Sequence, residues 1–187
     1  MEALDVLLKR VSVARLAEPA PTAEQRELLF RAAMRAPDHG QLRPWRFLTI
    51  EGDGRERLGE LFARVVAERD GDAVKPEALN KARQMPLRAP LLVAVIADLK
   101  EHPKVPELEQ MLAVGCAAHG MLLAAHALGI GAMWRTGELA YDPRVAAGLG
   151  LEANERVLGF LYLGTPVGDL RIPPEVDASA FISAWNG

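Results

Sequence analysis

Leu91-Leu-Val-Ala-Val-Ile-Ala97 is an unbroken apolar run that follows prolines at 86 and 90. It neither alternates nor repeats with a helical period, so it reads as a strand covered on both faces, at the centre of a sheet. Such a strand needs layers above and below it, and the flanking sequence supplies them.

Toward the C-terminus, prolines 103 and 106 bracket the start of a long helix, with Pro106 suited to its first turn and Gly129 to its stop. The stretch Met111 to Leu128 is apolar on nearly every side. It carries His119, His126, Gly115 and Gly120, and much of its apolar content is alanine, so a membrane span is not expected. A helix this apolar is expected to be buried all round, with a subunit interface as its second cover. Cys116 lies inside it and is expected to be inert. His119 and His126, seven residues apart, share a face and are too distant for joint metal ligation. A histidine near Glu107 or Glu109 does not make a metal triad either. Ile130 to Trp134 then reads as a strand, Asp142-Pro143 as a helix start, and Arg156-Val-Leu-Gly-Phe-Leu-Tyr-Leu163 as a further strand. After Gly164-Thr-Pro166 the chain is rich in turn residues, yet Phe181, Ile182 and Trp185 are apolar. This tail reads as an arm that packs on something, a partner subunit being the natural choice.

Toward the N-terminus, Leu4, Leu7 and Leu8 predict a short helix ending near Arg10. Thr22-Ala-Glu-Gln25 is a capping box. The helix it opens carries Leu28, Leu29, Ala32 and Ala33 on one face and stops before Pro37. Trp45 to Ile50 is a strand and Gly52-Asp-Gly54 a turn. Leu58, Leu61, Phe62, Val65 and Val66 mark a helix ending near Asp70-Gly71, and another spans roughly Glu77 to Met85. Unevenly mixed helices and strands predict an α+β sheet with helices on both faces. Gly129-Ile-Gly131 follows a helix and precedes a strand, the reverse of a dinucleotide fingerprint, and no Walker-type sequence is present.

The 187 residues fit one domain, 1–187. A net charge of -3 argues against a nucleic-acid partner. The single cysteine rules out an internal disulfide and a Cys-rich metal site, and fits a reducing cytoplasm. The N-terminus lacks a basic segment followed by an apolar core, so no signal peptide is expected.

Three polar segments could carry chemistry. Arg35-Ala-Pro-Asp-His-Gly-Gln-Leu-Arg-Pro-Trp45 joins a helix to a strand through a stiff loop dense in donors and acceptors. It could hold an anionic, planar small molecule, or its polar groups could simply cap and pair with one another. Arg10-Val-Ser12 offers a guanidinium fork beside a hydroxyl, suited to phosphate, or a cation at the end of its own helix. Trp134-Arg-Thr136-Gly137 leaves a strand with donors for a carbonyl-rich ring or a phosphate, or forms a surface turn with Trp134 in the core. No catalytic dyad or triad stands out.

In this order and spacing, the chain resembles the flavin-dependent nitroreductase family, most closely its small, compact NAD(P)H nitroreductases. The match runs through Arg10-Val-Ser12, Arg35-Ala-Pro37, Pro44-Trp45, Gly115 to Ala125, Leu128-Gly-Ile-Gly131, Trp134-Arg-Thr-Gly137, Phe160 to Gly164 and Pro166. The resemblance implies an FMN enzyme with a central, mostly antiparallel sheet flanked by helices, built as an intertwined homodimer with the flavin in a cleft between subunits. By position, Arg10 and Ser12 would bind the flavin phosphate, with Val11 in the same cofactor-binding segment, Arg35 and His39 would reach the cofactor across the interface, and Trp134, Arg135 and Thr136 would form a third contact segment. Ala124, Ala125, His126, Ala127, Leu128 and Gly129 would lie near the nicotinamide nucleotide. NADH or NADPH would donate a hydride, by way of the flavin, to a small electron-poor acceptor such as a nitroaromatic or quinone. Arg35, Arg43 and Arg135 are candidates to stabilise reduced flavin. A different flavin chemistry on the same fold, or a non-enzymatic flavin-binding protein, are the alternatives. The chain departs from the family where Val11 replaces a common arginine and Asp38 a common serine. It departs again at Gln41 and Arg43, which replace asparagine and glutamine, and at Arg15, which falls one residue later than usual.

Overall fold

A computed structural model describes residues 2–187. Strand β3 (Leu91–Asp98) lies inside the sheet, and Leu91 to Ala97 are all buried, as the unbroken apolar run requires. Edge strand β2 (Trp45–Glu51) pairs with it antiparallel on one side. Strand β5 (Glu155–Pro166) pairs with it on the other, also antiparallel. The far edge of β5 is shared by β4 (Gly131–Arg135) and the two-residue β1 (Leu16–Ala17), both antiparallel. The fold is α+β.

Alternation along the strands sorts side chains to the two faces. On one face, Val93, Val95, Leu161 and Leu163 pack against α2 (Ala23–Ala33) and the long α5 (Glu107–Ala127). On the other, Leu92, Ala94, Phe160 and Tyr162 pack against α3 (Asp53–Asp70), α4 (Pro76–Gln84), α6 (Glu138–Tyr141) and α7 (Pro143–Gly148). A short helix α1 (Ala3–Lys9) lies against α5 and buries none of its own residues.

The local signals act where the sequence places them. Thr22 and Gln25 form a reciprocal capping box, and Asp142 accepts from the Arg144 backbone N–H ahead of Pro143. Two expectations need correction. Gly52-Asp-Gly54 is not a turn: Gly52 takes a positive φ and α3 starts at Asp53, because one left-handed residue suffices to reverse the chain there. Leu28 is 44 % exposed; only Leu29 and Ala33 of the expected face of α2 are buried. Within one chain α5 is covered on its inner side, and Leu108, Leu112, Cys116 and His119 are exposed along the other, where the sequence placed a subunit interface as second cover. Cys116 is therefore accessible in the single chain. The strand β1 and helix α6 carry too few residues to show a period and were not foreseen.

Candidate functional site

Val13 donates its backbone N–H to the Ala132 carbonyl at 2.9 Å, and Leu16 lies against Gly131. Residues 13 and 16 thus lie beside the first two residues of β4. Ser12, Val11 and Arg10 directly precede the Val13 that is tied to Ala132, two residues before Trp134. The Val13–Ala132 bond makes these two polar segments neighbours along the chain course. Val11 is buried as the anchor, while Arg10 and Ser12 stay half-exposed.

Trp134 is fixed by an irregularity in β5. The register of β3 against β5 jumps between Val95 and Ile96, so Leu158 has no partner across the ladder. Its carbonyl accepts the Trp134 indole N–H at 3.3 Å. Gly159 beside it has φ 143°, and a Cβ there would collide with the indole and sit 2.8 Å from the Arg135 carbonyl. A bulge and a glycine thus make the seat of the tryptophan. The ring reaches α5 at Gly115, where a Cβ would lie 4.0 Å from Cη2.

Arg135 leaves the strand on the opposite face from Trp134, as pleating demands. Its guanidinium sits 5.2 Å from the centroid of the Tyr162 ring. Burial pushes the Tyr162 phenol up, opposed by the charges of Arg135 and Arg88. Side chains 134 and 135 therefore do not face one ligand together. Thr136 is exposed and borders a cavity of about 320 Å³ with Gly137, Lys81, Met85 and Arg69.

The loop 35–44 is held rigid. Gly40, Gln41 and Arg43 all have positive φ, and the Asp38 carboxylate accepts the Arg43 N–H at 2.7 Å. Lys100 donates to the Leu42 carbonyl at 2.6 Å. His39 Nδ1 lies 2.7 Å from Glu109 Oε2 on the first turn of α5. Among the described residues, Asp38 caps no helix and pairs with neither arginine side chain; it ties the loop to itself through the Arg43 backbone. Arg35 and Arg43 side chains are exposed and have no hydrogen bond or ion pair among the described residues.

The three segments do not meet within one chain. Glu109, under His39, and Gly115, under Trp134, are about 120° apart around α5 at roughly 100° per residue. Leu108, Leu112, Cys116 and His119 fill the arc between them, and all four are exposed. Anything seated on this stripe borders both His39 and Trp134. Half-buried His126 continues the stripe toward the C-terminus of α5.

Among the described residues, the buried side-chain nitrogens without a partner are Nε2 of His126 and Nε of Arg135. Both fall in segments singled out from sequence, 124–129 and 134–136. Buried polar atoms rarely stay unpaired, so these two nitrogens are the side-chain donors or acceptors left to a water or ligand. A cleft of about 620 Å³ is lined by Met111, Tyr141, Ala146, Leu151, Val157 and Leu158 and contains none of the sequence-named site residues. Sequence reasoning missed the Leu158–Gly159 bulge and the Glu109 carboxylate beside His39. The glycine in an otherwise apolar strand was the available signal for the first.

A model of the Nitroreductase family matches residues 7–165. The chain is 46 % identical over 166 residues to "Putative NAD(P)H nitroreductase YdjA" of Escherichia coli K12, covering 89 % of each. Among solved structures, a nitroreductase-like family protein from Bacillus cereus superposes with TM-score 0.81 at 22 % identity, over 100 % of this chain and 97 % of that one. A Bacteroides fragilis nitroreductase with bound FMN gives TM-score 0.74 at 25 % identity, over 99 % and 100 %.

Proposed function

The chain belongs to the nitroreductase family, and on that footing we propose that it is an FMN-dependent NAD(P)H oxidoreductase whose flavin site is completed by a second copy of the chain. The observation that carries this reading is the placement of the segments. The Arg10–Ser12 segment leads into Val13, which is bonded to β4 two residues before Trp134, while Trp134 and His39 border opposite sides of an exposed stripe on α5.

The residues fit the cofactor. Arg10 and Ser12 have no hydrogen-bond or ion-pair partner among the described residues and suit a phosphate. Arginines that serve the fold are paired instead, as Arg46 is with Glu155 and Arg26 with Glu51. Trp134 offers an immobilised aromatic wall, and the Thr136–Gly137 backbone lies exposed beside it. Arg35 and His39 reach the site from the partner. With its side chain on Tyr162, Arg135 contributes its backbone, leaving Arg35 and Arg43 to offset negative charge on the ring. His126, with an unpaired Nε2, is the side chain of the 124–129 segment best placed for the nicotinamide nucleotide.

FMN supplies, when bound, the hydride-carrying chemistry between NADH or NADPH and an electron-poor acceptor such as a nitroaromatic or quinone. The protein's part is to hold, orient and tune, which agrees with the lack of a catalytic dyad in the sequence. A homodimer also accounts for apolar surface that one chain leaves open: Leu4, Leu7 and Leu8 on α1, Leu108 and Leu112 on α5, and Ile172, Phe181, Ile182 and Trp185 in the tail. The enzyme is read as one domain, 1–187, working in the cytoplasm.

Purified protein should be yellow, release FMN on denaturation, and bleach anaerobically with NADH or NADPH. Colourless protein that ignores added FMN overturns the proposal.

A further inference from the structure

We propose that Glu109 is a positioning residue that sets the His39 ring for its contact with the flavin of the partner's site. The inference rests on the shared-site reading above and adds a residue to it.

The geometry is specific. His39 Nδ1 and Glu109 Oε2 are 2.7 Å apart. A carboxylate only accepts, so Nδ1 carries the proton and donates. The two ring nitrogens lie on opposite edges of the imidazole, so this bond turns Nε2 away from α5. In the neutral ring Nε2 is then an acceptor, and when protonated a donor; flavin hydroxyl and imide groups can meet either.

Both ends of the pair stand on fixed backbone. Gln110, next to Glu109, is 2 % exposed. Its amide donates to the carbonyls of Lys100 and Val105, at 2.8 and 3.2 Å, and accepts the Lys100 N–H at 2.9 Å. This clamp ties the 100–105 loop to the first turn of α5. The same loop holds the histidine's loop, because Lys100 reaches the Leu42 carbonyl and Val105 packs against Gly40. With the backbone of His39 held by these contacts and by Asp38, only its side-chain torsions remain free. Glu109 is the group that fixes them.

The pair does not earn its place through stability. The two side chains are 59 % and 45 % exposed, and ion pairs this open contribute little to folding. A polar neighbour that orients a ligand-contacting histidine acts instead on affinity; in metal sites such partners are worth about 10–100-fold, and the low end of that range is expected for a single hydrogen bond to the flavin.

The test is FMN affinity of the apo-dimer, read by quenching of flavin fluorescence, in wild type, Glu109→Ala, Glu109→Gln, His39→Ala and the Glu109→Ala/His39→Ala double variant. Glu109→Ala should weaken FMN binding about tenfold. Glu109→Gln, which keeps an acceptor, should stay within about threefold of wild type. In the His39→Ala background Glu109→Ala should change nothing further, because its route of action is gone. Unfolding midpoints of the single variants should match wild type, which separates orientation from folding. Tight FMN binding by wild type with no loss in Glu109→Ala overturns the proposal and leaves the flavin reading standing. So does an equal loss from Glu109→Ala with His39 already removed. Wild type that takes up no FMN overturns both.

Discussion

Gly159 is where a single atom would disturb the most. A Cβ there strikes the Trp134 indole and the Arg135 carbonyl, and the backbone sits at φ 143°. Gly159→Ala should cost about 1–3 kcal/mol of stability from backbone strain alone. It should also displace Trp134, seen as a shifted tryptophan emission and weaker FMN retention. A variant with wild-type emission and midpoint would show that the bulge is not the tryptophan's seat. At the phosphate end, Arg10→Ala should loosen FMN by roughly tenfold or more, the worth of a charge-assisted hydrogen bond. Unchanged affinity removes Arg10 from the site. Away from the flavin, the buried Glu155 carboxylate accepts from Arg46 Nε and Nη2 at 2.5 and 2.7 Å and from the Glu152 N–H at 2.8 Å. Its side chain is 5 % exposed. The Arg46 guanidinium holds its carboxyl below the usual range, against the opposing effect of burial. A carboxyl lowered in the folded state stabilises the fold above its unfolded pKa, near 4.3, and that stability is lost as pH falls through the lower folded value. Glu155→Gln should therefore lose about 1–3 kcal/mol at neutral pH. It should also show a shallower decline in melting temperature below about pH 4 than wild type. Parallel acid limbs in the two proteins would contradict this role.

At the scale of elements, α5 decides most. Its inner face fills the core beside β3, with Val114, Ala117, Ala118 and Met121 fully buried, while its outer stripe leaves Leu108 and Leu112 about 60 % exposed. Leu108→Glu/Leu112→Glu should leave the fold intact, give a monomer by light scattering, and lose FMN in step. A dimer that persists with flavin bound places the subunit contact elsewhere. The same helix shows how far sequence carried. Its composition told of burial on all sides, and the structure divides that burial between the chain's own sheet and an open stripe, because apolarity does not say which molecule supplies the cover. The strands were legible where they alternate or run unbroken, as Trp45–Ile50 and Leu91–Ala97 do. Gly52-Asp-Gly54 was misread because a glycine pair signals a turn whether or not a helix begins inside it. Arg10–Ser12 and Trp134–Thr136 could be found by residue type. Their meeting along β4 depends on the β1–β5 and β4–β5 pairings, which no local pattern encodes. Glu109 lay in plain view as an acidic residue, but only the fold brings it to His39, seventy residues earlier.

At the scale of the whole molecule, the central claim is that each flavin site is built from both chains: Arg10, Ser12 and Trp134 from one, Arg35 and His39 from the other. Within one chain Trp134 and His39 flank opposite sides of the exposed α5 stripe. A mixed dimer tests this directly. Two differently tagged chains, one carrying Arg10→Ala and the other Arg35→Ala/His39→Ala, are co-expressed, the heterodimer is isolated through both tags, and its tightly bound FMN is counted by absorbance. If sites are shared, both lesions collect in one site and the other is intact, so the heterodimer should hold about one FMN per dimer while each parent homodimer holds little. If every site is built within one chain, both sites of the heterodimer carry a lesion. Its flavin content would then stay between those of its parents, which would contradict the account.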